Sequence, residues 1–161
     1  YWTDIKSGQR KLMQMRNIRK RMVEVLEKYN IDEVYAHNAR FDAGALNMTQ
    51  RWLTKSKYRY FFPKNINICD TLQMSRDVLS TMPTYRKFCV DNGFVTARNV
   101  SRYTAEVIYR YITKDITFEE SHTGLEDVLI EKEILAYCYK QHKKMRRVLF
   151  PASLPLEAAV I

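Results

Sequence analysis

Three stretches of this sequence place chemically capable side chains at helical spacing beside an apolar run or a loop. In EVYAHNARFD, residues 33–42, an apolar triplet (Val34, Tyr35, Ala36) leads into His37, Asn38 and Asp42, the last two one helical turn apart. In SHTGLEDVLIEKE, residues 121–133, His122 sits in a loop, and Asp127 and Glu131, four apart, share one helix face. In ICDTLQMSR, residues 68–76, Asp70 closes an apolar run. A helix-borne carboxylate beside a loop histidine can hold a hard cation and move a proton. Each stretch also has a plain structural reading. Asn38 can cap a helix, and Asp42 and Asp127 early in helices favour the helix dipole. Asp70, directly after an apolar run, reads as an N-cap.

The elements around these residues follow from hydrophobic periodicity. Residues 8–29 repeat side chains at three- and four-residue steps (Leu12, Met15, Ile18 or Arg19, Met22, Val25 or Leu26, Tyr29), which predicts a helix ending at Asn30. DEVYAHN gives a short strand, and FDAGALNMTQRWL resumes helical spacing through Phe41, Ala45, Met48 and Trp52. NINIC, residues 65–69, alternates like a second strand, with a helix expected over Leu72–Leu79. Pro83 opens another helix that Gly93 closes. Residues 102–113 are amphipathic, and Leu125–His142 reads as a long helix burying Leu125, Val128, Leu129, Leu135 and Tyr139, with Ile134 beside them. Residues 148–161 carry two prolines without periodicity and read as an irregular tail. Helices alternating with short strands indicate an α/β class. Two buried strands cannot satisfy each other's backbone groups on every side, so the sheet is expected to be incomplete as given.

Bulk properties set the class. A length of 161 residues suits one domain, and 46% apolar with 28% charged residues suits a globular chain with a core. No apolar run is long enough to span a bilayer, and the N-terminus has no signal-peptide pattern. Cys69, Cys89 and Cys138 are odd in number and without a C-x-x-C pair, as expected for reduced core thiols in the cytoplasm. The net charge of +9 is clustered, with five basic residues and no acid in each of Arg51–Lys64 and Lys140–Arg147. Such clusters favour polyanions, and Tyr58, Tyr60, Phe61 and Phe62 in the first could offer base-stacking faces.

Taken in order, AHNARFD, CDTLQMSR, YRKFCVDNG and HTGLEDVLIEKEIL resemble the DEDDh class of 3′–5′ exonucleases, which includes proofreading subunits of bacterial replicative polymerases and phage-encoded relatives. The resemblance covers about residues 31–140 and lies in the ordered set of motifs, none of which is specific alone. It implies a ribonuclease H-like α/β fold, a two-metal Mg²⁺ or Mn²⁺ site, and hydrolysis of phosphodiester bonds at nucleic-acid 3′ ends, DNA first among them. On this likeness Asp42 and Asp127 are metal ligands and His122 is the general base. Asn38 and Phe41, with His37 beside them, line the pocket for the terminal nucleotide. The implied partners are single-stranded DNA or other nucleic-acid 3′ ends and a polymerase subunit.

The sequence departs from that pattern in one respect. The class carries an Asp-x-Glu strand before the second motif, and none precedes Asp42 here. Residues 1–147 therefore read as a partial exonuclease domain, the C-terminal two-thirds of the family fold, expected to show little nuclease activity alone. A catalytically silent ribonuclease H-like module that binds nucleic acid or a polymerase is the alternative. A helix-turn-helix regulator at TYRKFCVDNG…SRYTAEVIYRYI is weaker, because the segment between its helices exceeds the three- to four-residue turn that motif requires.

Overall fold

The computed structural model describes residues 2–54, 60–121 and 123–152. In chain order they form α1 (Trp2–Lys6), α2 (Met15–Lys28), β1 (Glu33–Ala36), α3 (Ala39–Thr54), β2 (Asn67–Asp70), α4 (Thr71–Leu79), α5 (Pro83–Asp91), α6 (Ala105–Thr113), α7 (Gly124–Lys140) and β3 (Val148–Phe150). This is an α/β arrangement, with seven helices and a small mixed sheet among the described residues. No described helix is long and apolar enough to cross a membrane.

The chain divides into two compact units. The first gathers the described residues of Tyr1–Asp32, Ala43–Ile66 and Ala152–Ile161. Here the helix expected over residues 8–29 starts only at Met15, because Gly8 takes a left-handed turn (φ +79°) after α1 and Leu12 stays exposed. Phe61 is fully buried: its N–H donates to Asn47 Oδ1 at 2.8 Å and its carbonyl accepts from Arg19 Nε at 2.9 Å. That overturns its reading as a stacking face, since an aromatic ring in a core is closed to a ligand. Tyr60 remains exposed, whereas Tyr58 and residues 55–59 of the first basic cluster lie outside the described residues.

The second unit comprises Glu33–Asp42 and Asn67–Pro151. Its sheet runs in the order β1-β2-β3. β1 and β2 are parallel, with Ala36 opposite Asp70, and β2 and β3 are antiparallel, with Cys69 opposite Val148. Val148–Phe150 is thus a strand where an irregular tail was expected from residue 148. Three residues are too few to show alternation in sequence, and the pairing comes from the exposed backbone of β2.

The core of this unit is helical. Met74 and Val78 from α4, Tyr85 and Cys89 from α5, Val107, Ile108 and Tyr111 from α6, and Ile130, Ile134 and Cys138 from α7 form one buried cluster. Tyr85 packs edge-to-face on Tyr111, with ring centroids 5.0 Å apart, and its hydroxyl donates to the Arg102 carbonyl at 2.6 Å. Pro83 stands at the first turn of α5, and Gly93, at φ +72°, follows its C-terminus, as the sequence reading had it. The three cysteines are buried, and none forms a disulfide among the described residues.

One face differs in part: Ile134 and Leu135 pack on the core as expected, and Tyr139 is exposed. α7 buries Ile130, Ile134 and Cys138, whereas Leu125, Val128 and Leu129 are 73%, 59% and 53% exposed. Charged and apolar side chains are both spread around this helix, so periodicity in its sequence does not select the buried side.

Candidate active site

The turn from β1 into α3 is two residues long, His37 and Asn38, and Asn38 adopts a left-handed conformation (φ +67°) that asparagine tolerates better than most side chains. A single carboxylate fixes this turn. Asp70, buried at the end of β2, accepts the Asn38 N–H at 3.0 Å and the Leu72 N–H at 2.9 Å through one oxygen, Oδ1. The second bond is the N-cap of α4 expected from the sequence. The first carries the cap across the parallel pair and pins the β1–α3 junction. Asn38 itself is therefore held by its backbone, with its side chain exposed toward a cavity.

His37 is held twice. Its Nε2 lies 2.8 Å from the Tyr103 carbonyl, which only accepts, so Nε2 carries the proton and Nδ1, 3.1 Å from Thr71 Oγ1, accepts from the hydroxyl. Burial lowers the imidazole pKa below its ordinary value, and the neutral ring fits this tautomer. Both nitrogens are used inside the protein, so His37 offers the cavity a ring face and no free nitrogen.

The cavity has a volume of about 1200 Å³. His37, Asn38, Phe41, Asp42, Asp127 and Glu131 all line it, and so do Glu120, Tyr103 and Arg76. Phe41, in the first turn of α3, is 71% exposed, an unusual position for a large aromatic and one from which it can meet a planar ligand. Asp42 follows it in the same turn. Asp127, in the first turn of α7, has a buried Oδ1 without a hydrogen-bond partner among the described residues. Glu131, one turn further, has its carboxyl pushed above the usual range, mainly by burial and further by the charges of Asp42, Asp127 and Glu120, against a backbone hydrogen bond from His37.

The sequence-predicted Asp42, Asp127, Asn38, Phe41 and His37 therefore share one cavity, and Glu131 joins them. His122 lies outside the described residues. Glu120, Tyr103 and Arg76 also line the cavity without having been singled out. Glu120 sits in an acidic loop that looks merely solvated, and Tyr103 and Arg76 belong to helix-like stretches whose sequence shows no special signal.

The donor set suits a divalent cation in kind. Hard oxygen ligands are present, one carboxylate oxygen is buried and unpartnered, and one neighbouring carboxyl has its pKa raised by burial and by adjacent negative charges that a cation would offset. Among the described residues no group of three or more His, Cys, Asp or Glu side chains could hold a metal ion.

The second basic cluster is partly spent on structure. Arg146 grips Asp77 through Nε at 2.9 Å and Nη2 at 2.7 Å, and Arg147 donates to Tyr139 Oη at 3.0 Å. Comparison with known protein families, with curated proteins and with solved structures finds no match to this chain.

Proposed function

We propose that this chain supplies part of a metal-dependent 3′–5′ exonuclease domain of the ribonuclease H-like type, acting on nucleic-acid 3′ ends, with DNA as the first candidate. The observation that carries the reading is the shared cavity. Residues from motifs as distant in sequence as AHNARFD and HTGLEDVLIEKE line it together, three of them carboxylates (Asp42, Asp127 and Glu131), with Glu120 beside them. Clustered carboxylates in a cavity, one with its pKa raised by burial and by its neighbours' charges, are the kind of group found at functional sites.

In this reading Asp42 and Asp127 hold Mg²⁺ or Mn²⁺. The bound cation supplies charge stabilisation to the oxygens of an in-line phosphodiester displacement. Phe41 stacks on the terminal base, Asn38 orients the terminal nucleotide, and His37 fixes the turn that carries both. His122 takes the proton of the attacking water, for which an imidazole is suited near neutral pH. Three buried thiols fit a reducing compartment such as the cytoplasm, and a polymerase subunit is the partner that proofreading chemistry calls for.

The test is 3′-end trimming of a labelled single-stranded DNA by the gene product in Mg²⁺. Trimming lost in Asp42→Asn and in Asp127→Asn supports the reading, and trimming unchanged in both overturns it. The alternative is a silent module that binds nucleic acid. That one predicts DNA binding indifferent to chelators, with no trimming.

A further inference from the structure

A cavity walled by carboxylates repels a polyanion, so a nucleic-acid strand entering it needs a cation from the protein. Three arginines line the cavity, and two are committed elsewhere. Arg110 is ion-paired with Glu106 and donates to the Phe118 carbonyl at 2.7 Å. Arg102 Nε donates to the Val95 carbonyl at 3.3 Å. Arg76, on α4, is exposed, and its guanidinium makes no hydrogen bond or ion pair among the described residues. Its sequence neighbour Asp77 is no competitor, because both of that residue's carboxylate oxygens are taken by Arg146.

Arg76 is also close to the site. Its charge lowers the pKa of the His37 imidazole and acts in the same direction on the Tyr103 hydroxyl. His37 in turn meets Glu131 through its backbone N–H. An unspent guanidinium and the carboxylates thus line the same cavity, and its planar fork matches two phosphate oxygens.

We propose that Arg76 seats a backbone phosphate of a single-stranded DNA running through this cavity, next to the carboxylates that would act on its 3′ end. This deepens the exonuclease reading and rests on its nucleic-acid part, though not on its metal or its chemistry.

Fluorescence anisotropy of a 5′-labelled oligodeoxythymidylate, measured in EDTA so that no cleavage occurs, tests it for the wild type, Arg76→Gln and Arg76→Lys across a salt series. The expected result for Arg76→Gln is an affinity about tenfold lower at low salt and a log–log salt slope shallower by about 0.7, the single-strand value for one phosphate contact. Arg76→Lys keeps the wild-type slope. An exposed, unpartnered side chain should be replaceable without unfolding, which circular dichroism checks. A single neutral methylphosphonate walked in from the 3′ end should weaken the wild type at one linkage and leave Arg76→Gln indifferent there. Wild-type binding with an unchanged slope in Arg76→Gln overturns the phosphate seat alone. A wild type that binds no oligonucleotide at any salt overturns the nucleic-acid reading, and the seat with it.

Discussion

Asp70 Oδ1 accepts the backbone N–H of Asn38 at 3.0 Å, so the residue that caps α4 also fixes the turn after β1. The two residues stand at the ends of neighbouring parallel strands, where Ala36 is opposite Asp70. Whatever Asn38, Phe41 and Asp42 do in the cavity, they do it from a turn whose geometry is dictated by a carboxylate outside their own motif.

Asp70→Ala should therefore destabilise more than a surface cap would. It removes an N-cap and leaves a second N–H without its charged acceptor, together costing about 3 kcal/mol. Asp70→Asn keeps an oxygen at the same place and should cost about 1 kcal/mol or less. Urea unfolding of both variants is the measurement, and equal losses would remove the bridging role.

His37 imposes a pH dependence on stability. Its pKa is lowered in the folded state, so the unfolded chain binds the proton more readily as pH falls below the ordinary histidine value. Stability is full above about 6.5 and declines below it, down to the depressed value. Thermal melts between pH 7 and pH 5 should show this decline, and His37→Gln, though less stable at pH 7, should show a smaller one. An identical decline in the variant would assign it to other groups.

Glu131 acts in the opposite sense. Its raised pKa means that the folded state holds the proton more tightly, so its contribution is most favourable below the ordinary glutamate value and is lost as pH rises through the shifted one. Glu131→Gln should consequently melt at a higher temperature than the wild type at pH 7, with the gap closing toward pH 4. If a divalent cation settles among these carboxylates, Mg²⁺ should raise the wild-type melting temperature more than that of the variant. A variant that melts lower at pH 7 would show that Glu131 is stabilising as an anion.

Tyr85 is the keystone of the helical core, fully buried among Phe88, Tyr103 and Tyr111. Tyr85→Phe leaves the Arg102 carbonyl without its 2.6 Å donor and should cost about 1–2 kcal/mol. Tyr85→Ala also opens a cavity and should cost about 3–5 kcal/mol. Denaturant unfolding separates the two effects.

Much of this was legible in the sequence because local rules governed it. Pro83 and Gly93 bracket α5, Asp70 caps α4, and an apolar triplet followed by polar residues marks the β1 turn. The association of Asp42 with Asp127 came from the order of motifs, not from any spacing between them. What stayed hidden depends on tertiary contact. The buried side of α7 is chosen by its neighbours, since charged and apolar residues alternate around the helix without marking one face. β3 exists because β2 has a free edge. The double hold on His37 needs Tyr103 and Thr71, neither of which signals a histidine partner from its own surroundings.

The late contacts of the chain also bear on when the cavity can form. The Asp70 N–H donates to the Arg147 carbonyl at 3.0 Å, Gln73 donates to the Arg146 carbonyl at 3.1 Å, and β3 closes the edge of β2. The helices rest on short-range bonds and can form quickly, whereas these closures join segments far apart in sequence and carry the entropy cost of a long loop. A nascent chain that has emerged only to α7 therefore has its helices but not the finished support beneath Asp70, and chemistry at the β1 turn must wait until residues 146–150 have docked.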